Sequence, residues 1–142
     1  LNEILKDMDP ADIGGIMTYA VRDDLQMPKE VVLKDRNLSK VWGIIAKRND
    51  QGTSLVPCVE TFEDLGSRIL KKYNHTGVSY VVIDEIGYLE VNAFKYCEEI
   101  KNCFEQKRVM AVIRKELNPF TEGLIQRQDI LLINLDEAHK LV

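Results

Sequence analysis

Histidine and cysteine are scarce in this chain: two histidines and three cysteines stand among 142 residues, and no Cys-x-x-Cys pair occurs. His75 and His139 are too isolated for a metal centre, which sets zinc chemistry aside. Cys58, Cys97 and Cys103 are odd in number. They read as the reduced thiols of a cytosolic protein and not as a disulfide frame. No apolar run approaches the length of a membrane span, and no secretory signal is visible, so no membrane partner is expected. Basic charge is not in excess either. A net charge of −4 offers no general attraction to nucleic acid, which is not indicated as a partner. Internal repeats, low-complexity tracts and domain linkers are absent.

What is present describes one soluble globular domain spanning residues 1–142. Apolar residues make up 45% and charged residues 30%, outside the range of disordered chains. The length suffices to bury a single core.

The most informative stretch runs from Tyr80 to Glu90: Tyr-Val-Val-Ile-Asp-Glu-Ile-Gly-Tyr-Leu-Glu. A continuous apolar run suits a strand buried on both faces, as in a parallel sheet covered by helices. Carboxylates are costly inside such a sheet, so Asp84 and Glu85 mark its carboxyl end, where open α/β sheets bind ligands. An NTPase needs one acid there for Mg²⁺ and a second to orient the attacking water. This is the Walker B arrangement. Two plainer readings compete: Asp-Glu begins a solvated loop, or Asp84 caps the next helix. The second acid, Gly87 and Glu90 favour the Walker B reading. Gly87 would let the chain turn with positive φ.

The remaining elements follow from spacing. Leu1, Ile4, Leu5 and Met8 have helical period, and Pro10 ends that helix. Ile13–Tyr19 is expected to be a strand in which Gly14 and Gly15 mark a bulge or a close backbone approach. Val31–Leu33 and Val41–Ala46 form a hairpin insertion around residues 31–48. Thr61 caps a helix to about Tyr73; Phe94, Cys97, Ile100 and Phe104 give another. Val109–Ile113 is a buried strand, Phe120–Gln126 a short helix and Ile130–Ile133 a final strand. The alternation predicts a doubly wound, mostly parallel α/β sheet with helices on both faces. Trp42 is a base-stacking candidate, with hairpin or core packing the plainer reading.

These strings together resemble one family. Ile13-Gly14-Gly15-Ile16-Met17-Thr18 with Val21-Arg22, then Asp84-Glu85-Ile86-Gly87 through Glu90, then Ala111-Val112-Ile113 and Ile125 to Asp129, are similar to the nucleoside-triphosphatase family first known from thermophiles, also called cancer-related nucleoside-triphosphatase. The resemblance covers nearly the whole chain and is most specific in Asp-Glu-Ile-Gly-x-x-Glu. It implies a RecA-like P-loop fold, a cytoplasmic enzyme, and hydrolysis of ATP, GTP and other nucleoside triphosphates with Mg²⁺. It assigns Asp84 to the metal and Glu85 to polarising water. Arg22, Arg114 and Arg127 become candidates for countering phosphate charge, with exposed, solvated side chains as the plainer reading, and Glu90 a structural residue.

One departure is decisive. No Gly-x-x-x-x-Gly-Lys-Ser/Thr occurs, and that loop cradles the phosphates. The resemblance places it, with a first strand, upstream of Leu1, because the chain opens in mid-helix; the other reading is that the loop has been lost. Tyr88-Leu89 departs from the family only in packing residues. By itself the chain is expected to be inactive. Two other classes fit the scaffold: a non-catalytic nucleotide-binding or regulatory relative, and a nucleotide or nucleoside kinase, though only scattered arginines are present for a kinase lid. The residues set neither an oligomeric state nor a preferred base.

Overall fold

The computed structural model describes residues 2–87 and 92–135. Helix α1 (Asn2–Leu5) is a single turn, shorter than its apolar spacing suggests. Pro10 does not end it but opens a 3₁₀ turn, Pro10–Asp12, in which the Asp9 carboxylate accepts the Ala11 N–H at 3.0 Å. Strands β1 (Ile13–Arg22), β2 (Pro28–Asp35), β3 (Trp42–Arg48) and β4 (Leu55–Pro57) follow. Next come α2 (Val59–Thr61), a π-helical turn over Phe62–Gly66 and α3 (Ser67–Asn74). The described part closes with β5 (Tyr80–Ile86), α4 (Phe94–Gln106), β6 (Arg108–Ile113) and α5 (Pro119–Ile125).

The strands form one sheet in the order β4-β3-β2-β1-β5-β6. β5 pairs in parallel with β1 and with β6, while β1-β2, β2-β3 and β3-β4 are antiparallel. By direction, β1, β3, β5 and β6 therefore run one way and β2 and β4 the other. This is the mixed, mostly parallel sheet expected, with the hairpin β2-β3 joined through residues 36–41.

Burial explains why β5 lies inside the sheet, between β1 and β6. Val81, Val82 and Ile83 have no exposed surface. Val81 and Ile83 join the main core beneath the helices with Ile16, Leu33, Phe62, Leu70 and Ile100, and Val82 meets Leu5 and Ile13 on the opposite face. Apolar side chains on both faces leave no room for a charge until the strand ends.

The paired glycines of β1 are a close approach. A Cβ at Gly14 would lie 2.2 Å from the Tyr73 ring, and one at Gly15, whose φ is +134°, would lie 2.0 Å from the Val82 carbonyl oxygen. Below them sits a buried polar network with no counterpart in the sequence reading. Asp35, fully buried at the end of β2, accepts hydrogen bonds from the Tyr73 hydroxyl, the Lys72 ammonium and the Asn37 N–H. Burial opposes ionisation of Asp35, but the bonds from Lys72, Tyr73 and Asn37 outweigh it and hold the carboxyl below its ordinary value.

Two further expectations are corrected. Thr61 is not a helix cap: it has helical dihedrals and no capping bond, and the helical stretch already begins at Val59, which packs against the core. Burial of that apolar residue overrides the local cap signal. Ile130–Ile133 is not a strand, and Leu131, Leu132 and Ile133 are 60–86% exposed. A strand needs a neighbour, and β6, the nearest in sequence, pairs only with β5 among the described residues. Trp42, 55% exposed at the start of β3, belongs to the hairpin and not to the core, which the plainer reading allowed.

Candidate active site

The carboxyl ends of β1, β5 and β6 converge on a cleft of about 470 Å³. Thr18 and Arg22 reach it from β1, Asp84 and Glu85 from β5, and Arg114 from the residue after β6; Val31, Ile45, Leu55 and Phe62 form its apolar wall. Asp84 and Glu85 are half-buried near the carboxyl end of β5, after the sealed Val81, Val82 and Ile83 and before the buried Ile86. Their joining peptide is cis.

Glu85 faces a cation. The Arg114 guanidinium lies 3.8 Å from its carboxylate, with both side chains about 40% exposed. At that exposure the attraction is modest. Gly87 makes room for this arginine. A Cβ there would fall 2.5 Å from Arg114 Cδ. Gly87 is not among the described glycines with positive φ, so its value is space, and the expected left-handed turn is not what it supplies. Arg114 is tied back to β5 by its N–H, which donates to the Ile86 carbonyl at 2.9 Å.

Asn118 was missed by sequence reasoning. It caps α5 reciprocally with Thr121 and donates from Nδ2 to the Gly87 carbonyl at 2.9 Å. Its signal was legible as Asn-Pro-x-Thr before an apolar run, but its reach to residue 87 was not. Thr18 was part of the quoted Gly-Gly string, yet its contacts with Asp84 and Glu85 span 66 and 67 residues.

The three candidate arginines separate. Arg114 and Arg22 line the cleft, and Arg22 also donates to the Gln26 carbonyl at 3.0 Å. Arg127 does not line it: both of its nitrogen contacts to Asp129 measure 2.9 Å, and its guanidinium lies over the Phe104 ring. Glu90, with Tyr88 and Leu89, lies outside the described residues.

The donor set suits a hard cation. Among the described residues no three His, Cys, Asp or Glu side chains converge on one point. Mg²⁺ in nucleotide sites needs only one or two carboxylates, completed by water and substrate phosphates. Asp84 and Glu85 offer oxygen ligands, and no His or Cys lines the cleft. Among the described residues no helix is long and apolar enough to cross a membrane.

Comparison with known proteins bears on the family and the fold. The family profile described as NTPase matches residues 1–140. Nucleoside-triphosphatase THEP1 of Thermotoga sp. (strain RQ2) is 28% identical over 132 residues, covering 89% of this chain and 74% of that protein. THEP1 of Thermotoga petrophila is 31% identical over 133 residues, covering 89% and 72%. The crystal structure of THEP1 from the hyperthermophile Aquifex aeolicus matches with a TM-score of 0.74 at 19% identity, over 94% of this chain and 80% of that one. At that identity the likeness speaks for the fold. Profile, relatives and fold agree, and the chain belongs to the NTPase family, alongside the nucleoside-triphosphatases called THEP1.

Proposed function

We propose that the intact protein hydrolyses nucleoside triphosphates to the diphosphate and phosphate, with Mg²⁺ and with little selectivity for the base. The observation that carries this reading is the Asp84–Glu85 pair at the sealed end of β5, opening onto a cleft that Arg114 and Arg22 also line. Asp84 would hold Mg²⁺ there, and the metal, when bound, would supply positive charge to offset that of the phosphates. Glu85 accepts a hydrogen bond from the attacking water and aims it at the terminal phosphorus. Arg114, 3.8 Å from Glu85 and lining the same cleft, is placed to meet phosphate charge there. Arg22 sits farther along the same cleft; Arg127 would have to leave Asp129 to take part.

Phosphate binding needs more than these residues provide. A triphosphate brings about four negative charges, which two carboxylates repel and which P-loop enzymes meet with a lysine, a helix N-terminus and a cradle of N–H groups. The 142 residues contain no Walker A string. We therefore expect this stretch alone neither to bind nucleotide tightly nor to turn it over. We place the enzyme in the cytoplasm, consistent with three free cysteines. Phosphate release from ATP, GTP, CTP and UTP by the full-length protein with Mg²⁺ tests the reading, and activity with none of the four would end it.

A further inference from the structure

We infer that Arg48 is a positioning residue for Arg22: its guanidinium clamps the turn between β1 and β2, and that turn holds the Arg22 side chain at the cleft. This rests on the hydrolase reading above. It adds a residue outside the cleft lining and gives Arg22 the task of binding the triphosphate.

Arg22 is the last residue of β1 and pairs with Pro28, the first of β2, and both line the cleft. The register of the two strands shifts between Val21 and Arg22, an irregularity of the kind that re-aims a side chain. The Arg22 guanidinium donates to the Gln26 carbonyl at 3.0 Å. Where Arg22 points is therefore tied to where residues 23–27 lie. Apolar packing does not fix that turn: Leu25 and Met27 are 82% and 57% exposed. Gln26 sits at φ +63°, an uncommon conformation for a residue with a side chain, and one that its surroundings must maintain.

Polar bonds do the holding. The Asp23 carboxylate accepts the N–H groups of Leu25 at 2.9 Å and Met27 at 3.0 Å. Arg48, the last residue of β3, reaches past β2 to the end of β1. It donates to the Asp23 carboxylate at 2.8 Å, and through Nε and Nη2 to the Pro28 carbonyl at 2.9 and 2.7 Å. Both side chains of the ion pair are only about a quarter exposed, so salt screens it less than a surface pair. One rigid guanidinium thus joins the two sides of the turn, which a flexible ammonium would not do in a fixed geometry. Without it the turn is free to shift, and the Arg22 guanidinium shifts with the Gln26 carbonyl. Arg48 acts through the turn and touches no substrate.

The test is calorimetric binding of a non-hydrolysable ATP analogue with Mg²⁺ to the full-length protein, with ATP turnover by the parent and melting temperatures recorded beside it. Arg22→Gln removes the cation and should weaken affinity roughly 10-fold. Arg48→Met and Asp23→Asn each open the clamp and should each weaken it roughly 3- to 10-fold. Their effects on local charge are opposite. Simple attraction for an anion would weaken binding in Arg48→Met and strengthen it in Asp23→Asn, whereas a lost clamp weakens it in both. In an Arg22→Gln background neither should cost anything further. Parental or tighter binding by Asp23→Asn, or a cost undiminished in the absence of Arg22, overturns the positioning role; so does parental binding by Arg22→Gln. Should Arg48→Met unfold, Asp23→Asn with and without Arg22→Gln gives the same comparison. A parent that binds the analogue but turns over no ATP overturns the hydrolase reading, while the affinities still decide the role of Arg48. A parent that binds no triphosphate overturns both.

Discussion

Replacing Glu85 by glutamine keeps the size of the side chain and removes the charge that polarises water. Turnover should fall about 100-fold or more while nucleotide affinity is retained; measured kcat near the parent's would move the role to another residue. Gly87→Ala tests the space beside it. The added methyl would lie 2.5 Å from Arg114 Cδ, so the guanidinium must leave Glu85, and kcat should fall by less than in Glu85→Gln. A crystal structure of this variant with Arg114 unmoved would contradict that cause. At the end of β2, Asp35→Asn removes one partner of a buried ion pair that Tyr73 and Asn37 also bond. Lys72 is partly exposed, so the cost should be about 2 kcal/mol, below that of a fully buried pair. The carboxyl's folded value lies below its ordinary one. Its contribution is therefore complete above the ordinary aspartate value of about 3.9 and is lost as pH falls below it, through the folded value. Urea melts of parent and variant should converge as pH is lowered through that window; a gap constant down to the lowest pH would place the stabilisation elsewhere.

At the scale of elements, periodicity served where burial is local. β5 and α4 follow directly from their apolar spacing, and the glycine pair of β1 announced a close approach whose two partners, Tyr73 and Val82, only the fold supplies. What was illegible depends on distant segments. Thr61 looked like a cap until Val59 was drawn into the core two residues earlier, and Ile130–Ile133 looked like a strand although nothing among the described residues pairs with it. The same logic gives a prediction for β6. It carries partly buried apolar residues and has a partner on one side only among the described residues. With the exposed run at 131–133 nearby in sequence, the 142-residue chain should associate with itself through unpaired backbone. Light scattering should rise with concentration and fall on Leu131→Lys; a monomer at every concentration would show that this edge is protected.

Across the whole molecule, structure and chemistry occupy adjoining stretches of one sheet. Asp35, across from Ile16 of β1, ties the end of β2 to Lys72 and Tyr73 of α3, while Thr18, Asp84, Glu85 and Arg114 gather where β1, β5 and β6 finish. The acidic pair was legible in the sequence because a charge directly after a sealed strand is costly anywhere but at a site. The arginines were not, since exposed cations carry no periodic signal: of three candidates, two line the cleft and Arg127 pairs with Asp129. The most direct test of the account is phosphate release by the full-length protein with ATP and Mg²⁺, measured beside Glu85→Gln at saturating nucleotide. The account predicts multiple turnovers by the parent, dependent on Mg²⁺, and almost none by the variant despite undiminished nucleotide binding. Equal rates in the two proteins, or no release by the parent from any triphosphate, would contradict it.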